Sequence, residues 1–261
     1  LRNFQKYKNK KVNIFEHPRI SHVGLENTLG NLPHDLRNLS NQIMTISKKN
    51  KINEKKLLSF GKNFVKNNFH QKNKKNYQLV PWVNRKKLNK LPEDFNDKEY
   101  ILGIFLSTEY ETFHTYENLK LFPFKSQLDA ISEIIDKIKT SKKEIKTYIR
   151  IHPNSGLSGE QYYNDLSKFK SKKIKIIERD SQVDSHALGL KCNCIITFGT
   201  NMAVDLGFMG KKILNIGPSW YMSFNIQKHF FSKNDFFNEF SKFLQNKENR
   251  IKKLNSTRIK A

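Results

Sequence analysis

Two cysteines in 261 residues, Cys192 and Cys194, rule out a disulfide framework and suit a reducing compartment. A single Cys-x-Cys pair with no second pair excludes a zinc finger. His17, His22 and His34 have no metal-ligand spacing either. No run approaches the roughly 20 apolar residues of a membrane helix, and the opening residues do not read as a secretory signal. A P-loop, a G-x-S-x-G elbow and a G-x-G-x-x-G turn are all missing. Acidic residues are scarce: 24 Asp and Glu face 48 Lys and Arg, giving a net charge of +24.

What is present argues for a folded protein. Twenty Phe and nine Tyr are too many for a disordered chain, and the length suits one large domain or two small ones. The positive charge is spread out as Lys-Lys pairs from Lys48-Lys49 to Lys252-Lys253, interleaved with asparagine as in Lys72-Asn73-Lys74-Lys75-Asn76. Such scatter fits a compositional bias toward Lys, Asn, Ile and Phe, or a diffuse attraction to anionic lipid or phosphate-bearing substrates. It lacks the zinc-finger spacing, RNP-like aromatic motif or basic zipper of a specific nucleic-acid reader.

Along the chain, residues 1–58 read as the remnant of an amino-terminal, acceptor-side domain. They hold a short strand at 12–15 and a helix over 36–46, with apolar side chains at 36, 39, 43 and 46. Residues 59–98, rich in Lys and Asn with Pro81 and Pro92, read as a linker. From 99 to 261 strands and helices alternate. Strands are expected at 100–106, 147–151, 174–177, 194–198 and 213–216. Helices are expected at 127–139, 160–169, 185–190, 201–209 and 236–254. Several of these strands are apolar on both faces, which predicts an α/β domain with a Rossmann-like, doubly wound parallel sheet. The chain begins at Leu1 rather than Met, and the partial amino-terminal segment makes it read as part of a longer protein.

In such a domain ligands bind beyond the carboxyl ends of the strands, so residues there carry the most weight. His152 leaves the sheet just before Pro153 and Asn154. An imidazole there can donate to a phosphate oxygen and, as a cation, neutralise a leaving nucleotide; packing as a loop cap is the alternative. Gly199, Thr200 and Asn201 join a strand to a helix, with Thr200 expected as the N-cap and Asp205 one turn further on, where its carboxylate can accept from a ribose. Asp184 is most simply the cap of the preceding helix, and Ser185 beside it is a second contact. Ser107 and Thr108 follow the first strand, and either line the cleft or cap a turn.

Taken together, the segments Phe105-Leu106-Ser107-Thr108-Glu109, Ser126-Gln127, Ile149-Arg150-Ile151-His152-Pro153-Asn154, Val183-Asp184-Ser185, Ile196-Thr197-Phe198-Gly199-Thr200-Asn201 through Asp205, and Gly210-Lys211-Lys212 resemble the capsule polysaccharide biosynthesis proteins. These are GT-B-type glycosyltransferases related to bacterial Kdo- and sialyltransferases and, more distantly, to CDP-glycerol glycerophosphotransferases. The likeness spans roughly residues 100–220. It implies the carboxy-terminal, nucleotide-binding half of a GT-B enzyme, with His152 as the catalytic residue at the donor phosphate. Ser107, Thr108, Asn154, Asp184, Ser185, Gly199, Thr200, Asn201 and Asp205 would be donor contacts. The family's paired hydroxyls fall on Thr200 and Asn201, one hydroxyl fewer, and its nucleotide-facing Glu falls on the shorter Asp205.

The resemblance implies a metal-independent enzyme without cofactor, working at the cytoplasmic face of the membrane. It would pass a sugar from a nucleotide donor, a CMP-linked one included, to a glycan or lipid-linked acceptor, with peripheral contact to anionic lipid and no specific nucleic acid. A glycerophosphotransferase using CDP-glycerol and a non-catalytic basic binding protein for nucleic acid or membrane are the alternative readings.

Overall fold

The computed structural model describes residues 15–16, 26–27, 36–49, 55–56, 58–63, 89–108, 116–153, 155 and 165–245. Two short strands, β1 (Phe15–Glu16) and β2 (Glu26–Asn27), pair antiparallel and precede helix α1 (Leu36–Lys49). From residue 100 the elements run β3 (Tyr100–Phe105), α2 (Tyr116–Leu121), α3 (Gln127–Lys139), β4 (Ile145–Arg150) and β5 (Ile174–Ile177). Then come α4 (Ser185–Lys191), β6 (Cys194–Thr197), α5 (Met202–Phe208), β7 (Ile213–Ile216), a 3-10 turn (Met222–Phe224), β8 (Lys228–Phe230) and α6 (Lys233–Gln245).

Six strands form one sheet in the order β5-β4-β3-β6-β7-β8, and every pairing is parallel. The expected doubly wound α/β domain is therefore present. Alternation along each strand splits the core into two layers. On one face Leu102, Ile104, Ile149, Ile196 and Leu214 pack against α3 and α6 through Ile131, Ile134, Phe236 and Phe240. On the other, Ile101, Phe105, Tyr148, Ile195 and Ile213 meet Leu188 of α4 and Ala203 and Leu206 of α5. The α3 stripe expected from its 3.6-residue period is the buried one, and Ser126 starts that helix by accepting from the Asp129 N–H at 3.0 Å.

Strand β4 reads IKTYIR and is buried at all six positions. Its cations survive burial because they are paired. Lys146 Nζ reaches Asp94 Oδ2 at 2.6 Å and the Lys172 carbonyl at 2.9 Å. Burial would raise the Asp94 pKa, but the Lys146 bond and the charges of Lys146 and Lys175 together hold it below the usual carboxylate value. Leu91 and Phe95 pack on the second core layer, and the Asp184 N–H donates to the Lys90 carbonyl at 2.8 Å. Residues 89–98, assigned to the linker by composition, thus lie against the sheet. Helix α1 docks on the 3-10 turn and on α2: Ser40 Oγ accepts from the Ser223 N–H at 2.9 Å, and Asn118 Oδ1 from the Leu36 N–H at 3.3 Å.

Several boundaries differ from expectation. The first sheet strand stops at Phe105, and β4 starts two residues early, at Ile145, because its polar side chains find partners. The last helix starts at Lys233 rather than at 236, and its expected extension past 245 lies outside the described residues. Of the helix expected at 160–169, residues 165–169 are described: 165–167 are helix and 168–169 a turn. No helix among the described residues is long and apolar enough to cross a membrane.

Candidate functional site

The chain runs outward from β3 to β4 and β5, then returns to the other side of β3 for β6, β7 and β8. Loops leaving β3 and β6 therefore diverge, which opens a crevice at their carboxyl ends. Register sharpens this. Phe105 pairs with both Arg150 and Thr197, and Thr197 pairs with Asn215. Ser107, His152, Gly199 and Gly217 thus each stand two residues past these paired positions, on four adjacent strands. Asn154 lies outside the described residues.

Each predicted residue has a defined setting. Ser107 and Thr108 are buried, and the Gln127 side chain clamps Ser107: its Oε1 accepts from the Ser107 N–H at 3.1 Å while Nε2 donates to the Ser107 carbonyl and hydroxyl, both at 3.1 Å. His152 is half-buried. Gly199 has φ +77°, and a Cβ there would sit 2.6 Å from the Pro218 carbonyl oxygen, so the turn admits only glycine without strain.

Asn215, fully buried in β7, organises this turn. Its Oδ1 accepts from Thr197 Oγ1 at 2.6 Å and the Gly199 N–H at 2.8 Å, and its Nδ2 donates to the Gly217 carbonyl at 3.1 Å. The Tyr221 hydroxyl donates to the Thr200 carbonyl at 2.9 Å, and Trp220 Nε1 to Asn201 Oδ1 at 2.8 Å. The expectation that Thr200 caps the following helix is corrected. Asn201 occupies the cap position, in the helical region and with no side-chain cap bond. The Thr200 hydroxyl is buried with no hydrogen-bond partner among the described residues.

Asp184 is the N-cap of α4, as its sequence position suggested: Oδ1 accepts from the His186 N–H at 3.0 Å, and Oδ2 accepts from the Asn89 N–H at 3.1 Å. Ser185 Oγ accepts from Arg150 Nε at 3.2 Å. Arg150 also donates to the carbonyls of Glu178 and Ser181, and burial lowers its pKa to about 10, which leaves it charged at neutral pH. Asp205 is buried and engaged: His186 Nε2 donates to its Oδ2 at 3.0 Å. Helices α4 and α5 approach closely enough for this because residue 189 is glycine; a Cβ there would meet Leu206 Cδ1 at 2.4 Å.

Four residues of this edge escaped the sequence reading: Gln127, His186, Asn215 and Tyr221. Gln127 stands in the quoted segment Ser126-Gln127 without a role assigned to it, and His186 adjoins Ser185, which is the signal that pointed nearest to them. Asn215 and Tyr221 act through pairings between strand and loop that no local pattern announces.

Two cavities lie elsewhere. One of about 300 Å³ sits at the opposite, amino-terminal strand ends, beside Glu99, Ile145 and Lys173. One of about 450 Å³ lies between α1 and residues 222–231. Within the latter wall, His229 Nδ1 faces the Gln227 carbonyl at 3.3 Å and so carries the proton, and Nε2 accepts from Ser219 Oγ at 2.7 Å. Burial pushes this imidazole down to about 4, against the opposing pull of the Gln227 carbonyl. The unfolded chain then binds a proton near pH 6.5 that the folded chain refuses until about pH 4. Folding stability contributed by His229 is thus complete above pH 6.5 and drains away as pH falls toward 4, by on the order of 2–3 kcal/mol. Urea melts across this range should show that loss, and His229→Gln should flatten it; equal slopes in both proteins would contradict the assignment.

Fold and edge together define a Rossmann-like α/β domain with a polar carboxyl edge at its switch point. No protein-family model matches the chain, and no curated protein matches it. Solved structures do. The chain is similar to the Thermosulfurimonas dismutans KpsC β-Kdo 2,7 transferase (13% identity, TM-score 0.49, 86% of this chain and 64% of that one). The β-Kdo 2,4 transferase of the same KpsC gives 14% identity and a TM-score of 0.38, over 56% of this chain and 42% of that one. The Methanocaldococcus jannaschii UDP-GlcNAc 2-epimerase, solved with UDP-GlcNAc and UDP, gives 19% identity and a TM-score of 0.41, over 64% of this chain and 46% of that one. The chain thus spans less than two thirds of each of these three.

Proposed function

We propose that the chain carries the nucleotide-binding lobe of a metal-independent, GT-B-type glycosyltransferase of surface-polysaccharide synthesis. The reaction moves a sugar from a nucleotide-activated donor to a glycan or lipid-linked acceptor. The acceptor hydroxyl forms a bond to the anomeric carbon and loses its proton to solvent, the bond from that carbon to the donor phosphate breaks, and the nucleotide leaves with the electron pair. The observation that carries this reading is the in-register delivery of Ser107, His152, Gly199 and Gly217 to the switch point, beside a Thr200 hydroxyl that no group among the described residues satisfies.

In this reading His152 donates to the departing phosphate and stabilises its charge where it develops. The Thr200 hydroxyl donates to the same phosphate. Gly199 and Gly217, both at positive φ and packed where a Cβ would meet the Pro218 carbonyl or the Phe122 ring, let the two turns take the shape that borders the diphosphate. Ser107, fixed by Gln127, presents its hydroxyl, with Thr108 behind it. Asp205, held by His186, accepts from the ribose, while Asp184 and Ser185 hold α4 in place. The net charge of +24 favours approach to anionic lipid and to phosphate-bearing acceptors at the cytoplasmic membrane face.

Thermal-shift titration with CMP, CDP and UDP tests this. A bound nucleotide at 100 times its Kd should stabilise the fold by about 2.7 kcal/mol. Thr200→Val removes an unsatisfied hydroxyl, so its unliganded melting temperature should hold while the nucleotide shift shrinks. No shift with any nucleotide, together with salt-steep RNA binding, would favour the basic binding protein instead.

A further inference from the structure

We propose that the cavity between α1 and residues 222–231 is a binding site for a small hydroxylated anion, a sugar bearing a carboxylate or a phosphate group. The inference does not depend on the transferase reading. At about 450 Å³ the cavity falls in the size range of small-ligand sites. Its wall mixes polar and apolar groups: Arg37 and Asn41 from α1 face Ser223, Asn225, Gln227 and His229, with Met222 and Phe231 beside them.

Three observations select the ligand chemistry. Gln227 Nε2 and Oε1 are both buried, and neither has a hydrogen-bond partner among the described residues. An amide left so is costly, and vicinal hydroxyls, which both donate and accept, meet its donor and its acceptor once the Gln227 side chain, which borders the cavity, turns toward it. Arg37 makes no ion pair with any described residue, so its planar fork is available to an oxyanion. Lys228, which also borders the cavity, has its Nζ 3.7 Å from Glu239 Oε2, so among the described lining residues Arg37 is the cation without an ion pair.

The third observation is an aromatic wall. His229 and Phe231 lie nearly parallel, 13° apart with centroids 6.3 Å apart, and Phe231 is 44% exposed. Both nitrogens of His229 are engaged within the protein, so it presents a neutral ring. A flat apolar face beside amides and a guanidinium matches the C–H face, hydroxyls and acid group of such a sugar. Asn41 has its Oδ1 committed to the Ser223 hydroxyl at 2.7 Å, which fixes its amide with the nitrogen as the remaining donor.

Calorimetric titration of the whole chain with glucuronate, glucose 6-phosphate, glucose and inorganic phosphate tests the site. Saturable binding of glucuronate, glucose 6-phosphate or both is expected, and which one binds identifies the acid group. Glucose and phosphate alone should bind at least about ten-fold more weakly. Arg37→Gln and Gln227→Leu should each weaken the sugar acid by about ten-fold or more, while Gln227→Leu keeps or raises the melting temperature because it removes an unsatisfied amide. Nucleotide binding, measured on the same Arg37→Gln protein, should not change, which separates this site from the sheet edge. No saturable binding of either sugar acid, or binding indifferent to both substitutions, overturns the proposal.

Discussion

Asn215→Ala is expected to lower the unfolding free energy by about 3–5 kcal/mol, the largest stability effect of any single polar residue at the sheet edge. Three partners lose their bonds together. The Thr197 hydroxyl, the Gly199 N–H and the Gly217 carbonyl all point at one amide in a fully buried position. Water cannot reach them without opening the turn, and each stranded group costs about 1–3 kcal/mol. Thr197→Val removes a single donor and leaves Asn215 Oδ1 with the Gly199 N–H, so it should cost about 1 kcal/mol. Urea denaturation of both variants gives the comparison. Equal losses, or a loss under about 1 kcal/mol for Asn215→Ala, would show that the turn is held by something else.

His152→Ala is expected to reduce turnover by about 10²–10⁴-fold, with the melting temperature kept. The residue is half-buried and stands past the end of β4, so truncation opens no core cavity. Its backbone carbonyl, which accepts from the Ser155 N–H at 3.0 Å, is untouched by the change. If the imidazole acts on the phosphate as it departs, kcat and kcat/KM should fall together. His152→Gln keeps a donor without the charge and should recover part of the rate. Nucleotide release from a panel of nucleotide sugars, with and without acceptor glycans, supplies the assay. A change of less than about ten-fold would leave His152 as a loop cap and remove it from the chemistry.

Much of the architecture was legible because it rests on local pattern. Runs such as Ile195-Ile196 and Ile213-Leu214 can only be strands covered on both faces, and the stripe through Ile131, Ile134, Ile135 and Ile138 can only be a helix on one of them. Strand β8 was not legible: Lys228-His229-Phe230 has no apolar run, and it is a strand only because β7 offers it a free edge. The helix α2 and the 3-10 turn are too short to show a period. At the site, strand ends located Ser107, His152 and Gly199, since position along a strand fixes position at the edge. Pairing was another matter. That His186 would hold Asp205 depends on how closely two helices approach, which Gly189 sets from a distance in sequence. Thr200 misled for a related reason: Tyr221 holds its carbonyl and carries the chain past the position from which its hydroxyl could cap.

The order of strands also sets how the chain reaches its native state. Strand β3 can pair with β4 soon after both are synthesised, yet its other partner, β6, lies roughly ninety residues downstream. Until that segment leaves the ribosome, one flank of the central strand presents bare amide and carbonyl groups to its surroundings. Assembly should therefore proceed in two kinetic stages, with the β3–β5 half vulnerable to aggregation until the β6–β8 half closes over it.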